Sequence, residues 1–166
     1  MRVAITGALG VNGVFVVRAL QEVEVEILAT NQVADYSLAP ELAGAIDFRL
    51  ADVTDQNAVR NALQDFRPDV VIHLAALLPV EAQADPHLGY TVNIMGTANV
   101  LAVARELDVR RVVFTSSKAA YGEVTGIHAH PRYQALTEDD ALSPKKIYDH
   151  AKVASEGLGI NYHRSG

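Results

Sequence analysis

The sequence predicts an α/β fold in which helices cover both faces of a doubly wound parallel sheet. Short apolar runs alternate with longer amphipathic patterns along most of the 166 residues, and this alternation is typical of successive βαβ units. The run DVVIHLA is apolar on both faces, as expected of a central strand in a parallel sheet. A glycine-rich turn joins the first apolar run to the first helical pattern. The length fits one domain of this class.

Five strands and four longer helices are expected in chain order. Apolar runs predict strands over residues 3–6, 25–29, 46–50, 69–75 and 111–116. Helical spacing predicts helices over residues 11–21, 56–66, 86–107 and 145–162. Asp55 is a suitable N-cap for the second helix. Residues 31–44 are expected to form a loop with one helical turn, and the aperiodic stretch 121–144 to form a long functional loop.

Composition excludes several classes of protein. The chain has no cysteine, so a disulfide scaffold, a thiolate metal site and a cysteine nucleophile are excluded. Its net charge of -6 disfavours nucleic acid as the main partner. The longest apolar stretch, residues 70–80, is shorter than the roughly 20 residues that a membrane span needs. No cleavage-like site follows Met1 and Arg2, so the sequence shows no signal peptide. Together, these observations predict a cytoplasmic protein that binds neither nucleic acid nor a membrane.

Three glycines in the segment TGALGVNG form the strongest local motif. Gly7, Gly10 and Gly13 have the spacing GxxGxxG between a predicted strand and a predicted helix. Such a loop needs one glycine for the tight turn, one for close approach to a pyrophosphate and one for helix–strand packing. The N-terminus of the following helix attracts anions. The motif therefore predicts nucleotide binding, the alternative being a glycine-rich turn without a ligand.

The residue that contacts the adenosine ribose is expected at the end of the second strand. Thr30, Asn31 and Gln32 occupy this position, so there is no acidic side chain to repel a 2′-phosphate and no basic one to attract it. NAD is only mildly preferred on this ground, and NADP is not excluded. Asn31 is the candidate contact, the alternative being an ordinary turn residue.

A tyrosine and a lysine in the last predicted helix are candidate catalytic residues. Tyr148 and Lys152 of YDHAK are four residues apart, so their side chains share one helix face. A phenol has an ordinary pKa of about 10, and lowering it by about 3 units takes roughly 4 kcal/mol of preferential stabilisation of the phenolate. A neighbouring ammonium and a bound cationic nicotinamide ring can supply that stabilisation. The alternative is a surface helix pair of small stabilising effect.

The segment FTSSKAAYG favours the catalytic interpretation. It follows the fifth predicted strand, and ligands of open parallel sheets bind beyond the carboxyl ends of the strands. The Ser117 hydroxyl can hydrogen-bond the substrate oxygen that Tyr148 protonates or deprotonates.

In this order the motifs resemble the extended short-chain dehydrogenase/reductase family, in its NAD-dependent epimerase/dehydratase branch. TGALGVNG is similar to the family's TGxxGxxG, and LADVTD to its motif after the third strand. HLAA resembles the segment after its fourth strand, and YTVNIMGT matches its Y-x-x-N-x-x-G-T pattern. SSKAAYG resembles the catalytic serine segment, and LTEDDALSP the acidic lead-in to YxxxK.

The resemblance implies a Rossmann-type fold and hydride transfer between a substrate carbon and the nicotinamide of NAD. It gives Tyr148 the acid/base role, Lys152 the tuning of that phenol, Ser117 the orientation of the substrate oxygen and Asn93 an active-site support role. Substrates in this branch are often nucleotide-linked sugars, and helices such as 86–107 often build a homodimer. The implied cofactor contacts are Gly7, Leu9, Gly10, Gly13, Asn31, Asp52, Val53, Leu74, Ala75, Ala76, Tyr148 and Lys152.

Three departures from the family pattern weaken a specific 4-epimerase assignment. Asn31 replaces the acid after the second strand, and Lys118 follows the serine where a small residue is common. Leu78 occupies a region where sugar epimerases often place a polar substrate contact. His128 and His130 form an HAH pair without a third ligand nearby, so no metal site is predicted.

The family typically needs further strands and a small substrate-binding region after the Tyr–Lys helix. Residues 1–166 are therefore expected to be a dinucleotide-binding domain whose C-terminal substrate-binding region is absent. Two functions follow as hypotheses: an oxidoreductase or isomerase acting on a sugar, or a dinucleotide-binding module or fragment without catalytic activity of its own. The fifth strand is expected to be an exposed edge that favours self-association.

Overall fold

The computed structural model describes residues 1–165 and contains one sheet of five parallel strands. The strand order is β3-β2-β1-β4-β5, and the chain changes direction across the sheet between β1 and β4. The strands are β1 (Arg2–Thr6), β2 (Glu26–Asn31), β3 (Asp47–Leu50), β4 (Val70–His73) and β5 (Arg111–Phe114). The helices are α1 (Val11–Gln21), α2 (Gln56–Leu63), α3 (Pro79–Ala84), α4 (Pro86–Tyr90), α5 (Gly96–Glu106) and α6 (Ile147–Arg164). The predicted doubly wound parallel sheet is confirmed.

Two apolar clusters explain why the strands are hydrophobic on both faces. Val3 and Ile5 of β1 pack with Val14 and Val17 of α1 in one cluster. Ala4 of the same strand belongs to the other cluster, which includes residues of α2 and α5. Because successive side chains of a strand point to opposite faces, β1 is buried by helices on both sides.

The strand register aligns four residues across the carboxyl end of the sheet. Thr6 of β1 pairs with Thr30 of β2 on one side and with His73 of β4 on the other. His73 in turn pairs with Phe114, the last residue of β5. The loops that follow these strands therefore start at one level, where ligands of open parallel sheets bind.

The predicted helix over residues 86–107 is confirmed, but it contains one irregular turn. The structure divides it into α4, a π-helical turn over Thr91–Met95, and α5. The Gly96 N–H donates to the Thr91 carbonyl, five residues back instead of four. A π turn inserts one residue without ending the helix, and a pattern of apolar residues does not resolve a single such turn within a longer helix.

Other predicted boundaries differ by a few residues. β4 and β5 end at His73 and Phe114, two residues before the predicted ends, because the backbone leaves the sheet to form the loops of the site. The short helix α3 was not predicted; it begins at Pro79, a residue well suited to the first turn. Asp55 caps α2 as predicted, accepting hydrogen bonds from the Asn57 and Ala58 amides.

The remaining segments are mostly irregular. The predicted helical turn before β3 is a 3₁₀ turn at Pro40–Leu42. The long loop before α6 contains one further 3₁₀ turn, Gly126–His128, and begins at the end of another, Lys118–Tyr121. Among residues 1–165, none of the helices has both the length and the apolar character that crossing a bilayer requires.

Candidate active site

The glycine loop lies between the carboxyl ends of β1 and β4, and its shape depends on the absence of side chains. Gly7 has φ of 71°, and a Cβ there would lie 2.6 Å from the Ala75 amide nitrogen, directly after β4. A Cβ on Gly13 would overlap the Gly7 carbonyl oxygen and lie 2.5 Å from that of Ala8. Gly10 is the N-cap of α1 and offers no side-chain acceptor. The first-turn amides of α1 therefore need other acceptors, which an anion can provide.

The predicted adenosine contacts lie at the ends of β2 and β3. Asn31 is the last residue of β2 and is half-buried, with its side-chain amide donating to the Val33 carbonyl at 3.3 Å. Asp52 is exposed, and its Oδ1 accepts hydrogen bonds from the Thr54 amide at 2.9 Å and hydroxyl at 2.8 Å. Both residues lie at the carboxyl edge of the sheet, Asn31 at the end of β2 and Asp52 after β3.

Apolar residues form the inner wall of the same region. Leu9 and Val53 are buried, whereas Leu74, Ala75 and Ala76 after β4 are half-buried. α5 holds the Val53 loop in place through two contacts. A Cβ on Gly96 would lie 2.7 Å from the Val53 side chain, and the Asn99 amide group donates to the Val53 carbonyl at 2.9 Å.

Lys152 lies beneath the site with its ammonium held by three groups. Its Nζ donates to the Thr115 carbonyl at 2.8 Å and lies 4.7 Å from the ring centroid of Phe114. The same nitrogen is 5.4 Å from the ring centroid of Tyr148, which confirms that the two residues share a face of α6. The lysine is only 4 % exposed, and this burial lowers its pKa to about 8.

The segment after β5 brings Ser117 near this lysine along the chain. Thr115, the acceptor for Lys152, is two residues before Ser117. The Ser117 hydroxyl oxygen accepts a hydrogen bond from the Ala119 amide at 3.1 Å and so starts the 3₁₀ turn. Its own proton is not committed by this contact. Ser116, between them, donates a short hydrogen bond to Glu156 on α6.

Asn93 lies in the π turn and fixes the loop after β4. Its buried side chain accepts from the Leu77 amide at 2.8 Å and donates to the Leu77 carbonyl at 3.0 Å. Its own carbonyl accepts hydrogen bonds from the hydroxyls of Thr97 at 2.7 Å and Ser155 at 2.9 Å. Asn93 thereby connects α5, α6 and the loop, a geometry that suits the predicted support role.

Sequence reasoning missed two residues that hold the start of α6. The buried carboxylate of Asp149 accepts hydrogen bonds from the Lys145 and Lys146 amides, both at 3.1 Å. Gln83 of α3 accepts from the Ile147 amide at 3.4 Å. These bonds fix the backbone immediately before Tyr148. The acid at the third position of a helix was the available signal for Asp149, since this is a common capping pattern.

His128 of the histidine pair contacts other residues of the long loop and none of the groups described above. The Nε2 of His128 is 3.4 Å from an Asp140 oxygen, and its Nδ1 is 3.0 Å from the Gln134 carbonyl. Within residues 1–165 no three histidine or acidic side chains are grouped to hold a metal ion.

Known proteins with similar sequences share both the motifs and the fold. UDP-glucose 4-epimerase of Mycolicibacterium smegmatis is 31 % identical over 171 residues, covering 99 % of this chain and 52 % of that protein. The structure of Thermus thermophilus UDP-glucose 4-epimerase in complex with NAD superposes with a TM-score of 0.87 at 31 % identity, covering 99 % of this chain and 51 % of that one.

A structure with a different activity is about equally similar. L-threonine dehydrogenase of Clostridium difficile superposes with a TM-score of 0.86 at 30 % identity, covering 98 % of this chain and 49 % of that one. The chain thus spans about half the length of the relatives it matches.

The match to a family model covers nearly every residue. Residues 3–166 match the model of the NAD dependent epimerase/dehydratase family, a range that includes the glycine loop, Asn93, Ser117, Tyr148 and Lys152. The chain therefore belongs to the NAD dependent epimerase/dehydratase family.

Proposed function

We propose that the chain is the NAD-binding and catalytic half of an epimerase/dehydratase-type enzyme that acts on a nucleotide-linked sugar. The observation that carries this proposal is the buried Lys152 ammonium, 5.4 Å from the Tyr148 ring and bonded to the segment that leads to Ser117. A surface helix pair would not bury a charged lysine at 4 % exposure.

The residues at the sheet switch point fit a dinucleotide. Gly7 and Gly13 let the loop pack against neighbouring backbone more closely than any Cβ would allow, and α1 begins without a side-chain cap. A pyrophosphate accepts hydrogen bonds from such a helix N-terminus. Asn31 and Asp52 are available for the adenosine, with Leu9, Val53 and the 74–76 segment as the apolar wall. NAD bound here would take a hydride from a substrate carbon and return it.

The chain's own residues would handle the proton that accompanies this chemistry. The Tyr148 phenol exchanges a proton with the substrate oxygen, and the Lys152 charge favours the phenolate form. Burial lowers the Lys152 pKa to about 8, so the ammonium is still mostly protonated at neutral pH. The Ser117 hydroxyl has a free proton with which to orient the same oxygen.

The substrate class follows from the relatives and is the least constrained part of the proposal. Two of the similar proteins named above are UDP-glucose 4-epimerases, and the third is an L-threonine dehydrogenase. We assign a nucleotide-linked sugar because the epimerases match the chain by both sequence and structure. The lack of cysteine suits a reducing compartment such as the cytoplasm.

Calorimetric titration with NAD and NADP tests cofactor binding directly. We expect saturable binding of NAD by the wild-type chain and weaker binding of NADP. The variant Gly10→Glu places a carboxylate at the N-cap of α1 and should abolish binding, whereas Gly157→Glu, at an open position on α6, should not. No measurable binding of either cofactor by the wild-type chain would overturn the proposal.

A panel of nucleotide-linked sugars, offered with NAD, tests catalysis. We expect the complete enzyme, of which this chain is the proposed half, to turn over at least one substrate, and Tyr148→Phe in that enzyme should reduce kcat by about 10²- to 10⁴-fold, the range typical of a lost general acid or base. Binding of NAD without turnover of any substrate would instead favour a dinucleotide-binding module without catalysis. This second function remains a candidate because the chain spans only about half the length of its relatives.

Self-association is part of the same proposal. In residues 1–165, β5 hydrogen-bonds to β4 alone, and Val113 on it is exposed. A cavity of about 700 Å³ lies beside it, lined by residues of β5, α5 and α6. An open strand edge next to this cavity favours pairing with a second copy when the chain folds alone. Sedimentation at high concentration should show a dimer, and a strictly monomeric chain would contradict this.

A further inference from the structure

His73 is a buried residue whose two ring nitrogens are both engaged. It is the last residue of β4, is 2 % exposed and is one of the four residues aligned across the carboxyl end of the sheet. Its Nδ1 lies 2.6 Å from the Thr6 hydroxyl, one residue before the glycine loop. Its Nε2 lies 3.1 Å from the Thr97 hydroxyl on α5. None of the functions assigned above uses this side chain.

The direction of these hydrogen bonds follows from the Thr97 hydroxyl. That hydroxyl donates its only proton to the Asn93 carbonyl at 2.7 Å, so towards His73 it acts as the acceptor. Nε2 must therefore carry a proton, which it donates to Thr97. The Thr6 hydroxyl is then free to donate to an unprotonated Nδ1. The imidazole is neutral in this arrangement, with its single proton on Nε2.

The chain of hydrogen bonds continues to the helix that carries the tyrosine and lysine. The Asn93 carbonyl, which accepts from Thr97, also accepts from the Ser155 hydroxyl at 2.9 Å. Ser155 lies three residues after Lys152 on α6. An unbroken series of bonds thus links the end of β1, where the glycine loop starts, to α6.

The ring of His73 also supports Lys152 through Phe114. The two rings are stacked with centroids 6.0 Å apart, and the Phe114 ring lies 4.7 Å from the Lys152 ammonium. Lys152 is the charged group that acts on His73. Burial and this positive charge lower the pKa of His73 to about 3, which is consistent with a permanently neutral ring.

We propose that His73, as the neutral Nε2–H tautomer, is a positioning residue that fixes the glycine-loop strand relative to the helix bearing Tyr148 and Lys152. The catalytic meaning of this role depends on the proposed function, but the tautomer and the linkage do not. A reversed tautomer would set an unprotonated Nε2 against the Thr97 oxygen, which has no proton left to donate.

Nitrogen NMR of the full chain labelled with ¹⁵N-histidine tests the tautomer. The His73 signals are identified by their loss in His73→Phe, which keeps an aromatic ring on Phe114. We expect a neutral ring with its proton on Nε2 at every pH from 5 to 8. Protonation of the ring within this range, or a proton on Nδ1, would overturn the proposal.

Amide hydrogen exchange tests the linkage without any activity measurement. Thr97→Val removes the acceptor for Nε2–H, and loss of one buried hydrogen bond is expected to speed exchange by about tenfold. The faster exchange should appear both directly after β4, at the Leu74 amide that donates to the Thr6 carbonyl, and in α6, at Ser155. Thr91→Val, a half-buried threonine of the π turn, is the matched control and should change neither. Faster exchange on one side only would contradict a linkage.

NAD binding and turnover separate this inference from the proposed function. If the wild-type chain binds NAD, Thr97→Val should weaken NAD binding and lower kcat more than it changes KM. The reason is that both the glycine loop and the helix bearing Tyr148 and Lys152 would be displaced. Unchanged binding and kcat in that variant would overturn the positioning role. If the wild-type chain binds no NAD but the tautomer and exchange results hold, the proposed function fails and the structural linkage stands.

Discussion

The two ends of the candidate site are built by opposite means. The glycine loop depends on side chains that are missing, since a Cβ at Gly7 or Gly13 would overlap neighbouring backbone. The Tyr–Lys end depends on side chains that are buried against their solvation preference, with Lys152 and His73 both nearly inaccessible. Adding atoms should therefore harm the first region, whereas removing charge should relieve the second. Substitutions at the two ends are expected to change stability in opposite directions.

The largest effect is expected in the glycine loop. Gly13→Ala places a methyl group against the carbonyl oxygens of Gly7 and Ala8, which belong to backbone and cannot rotate away. We expect a loss of roughly 3 kcal/mol or more in the free energy of unfolding, because overpacked backbone contacts must be relieved by moving α1. Urea denaturation measures this loss. Stability within 0.5 kcal/mol of wild type, a surface-substitution range, would show that the loop tolerates a side chain.

Acid should destabilise the protein through His73. The pKa of His73 is about 3 in the fold against 6.5 as the ordinary value, so the unfolded chain binds the proton first as pH falls. The free energy of unfolding should therefore fall by about 1.4 kcal/mol for each pH unit below pH 6.5, and this loss should be absent above pH 6.5.

Urea denaturation of wild type and His73→Phe at pH 7, 6 and 5 measures this slope. The difference between the two proteins should change with pH, since only wild type carries the buried imidazole. Parallel pH profiles for both would refute the assignment of the acid sensitivity to His73.

Removing the Lys152 charge should stabilise the fold and, on the proposed function, abolish catalysis. Burial lowers the lysine pKa from 10.5 to about 8, so the unfolded chain binds the proton more strongly and folding is disfavoured at neutral pH. Lys152→Met keeps the length of the side chain. We expect a gain of about 1–2 kcal/mol at pH 7, after subtraction of the hydrogen bond to Thr115. The gain should shrink as pH rises from 8 towards 10.5, and denaturation at pH 7 and 10 checks this.

The smallest effect is expected at glycines that no contact requires. A Cβ on Gly157 would meet no atom within 4 Å, and Gly157 lies inside α6. Gly157→Ala should stabilise the chain by about 0.5–1 kcal/mol, because alanine loses less backbone entropy in a helix. Thermal unfolding of this variant beside Gly13→Ala gives a matched pair. Destabilisation of both would show that the glycine-loop effect is not specific to its backbone contacts.

The sequence could predict the parts of the site that depend on local spacing. The glycine loop, the pairing of Tyr148 with Lys152 and the cap at Asp55 each lie within a few residues, and the structure contains all three. The doubly wound sheet followed from the alternation of segments, because each apolar run must find helices on both of its faces.

Contacts between distant segments could not be predicted in this way. The HLAA motif assigns no role to His73, because the hydrogen-bond partners of His73, Thr6 and Thr97, are 67 and 24 residues away in the sequence. The link from Ser155 to Asn93 spans 62 residues. The π turn could not be predicted because the spacing of apolar residues does not resolve a single i→i+5 turn within a longer helix. These features depend on the register between elements, which spacing along one segment does not encode.

The π turn interrupts a regular α-helix and at the same time positions Asn93. Deleting one residue from Thr91–Met95 would give a continuous α-helix from Pro86 to Glu106, a simpler and locally better-bonded element. The same deletion would rotate everything before it by about 100°, the angle between successive residues of a helix. The Asn93 side chain would then lose its alignment with Leu77, and the Asn93 carbonyl its alignment with Ser155 of α6. Helical insertions and deletions in this segment are therefore a means of separating folding from site assembly.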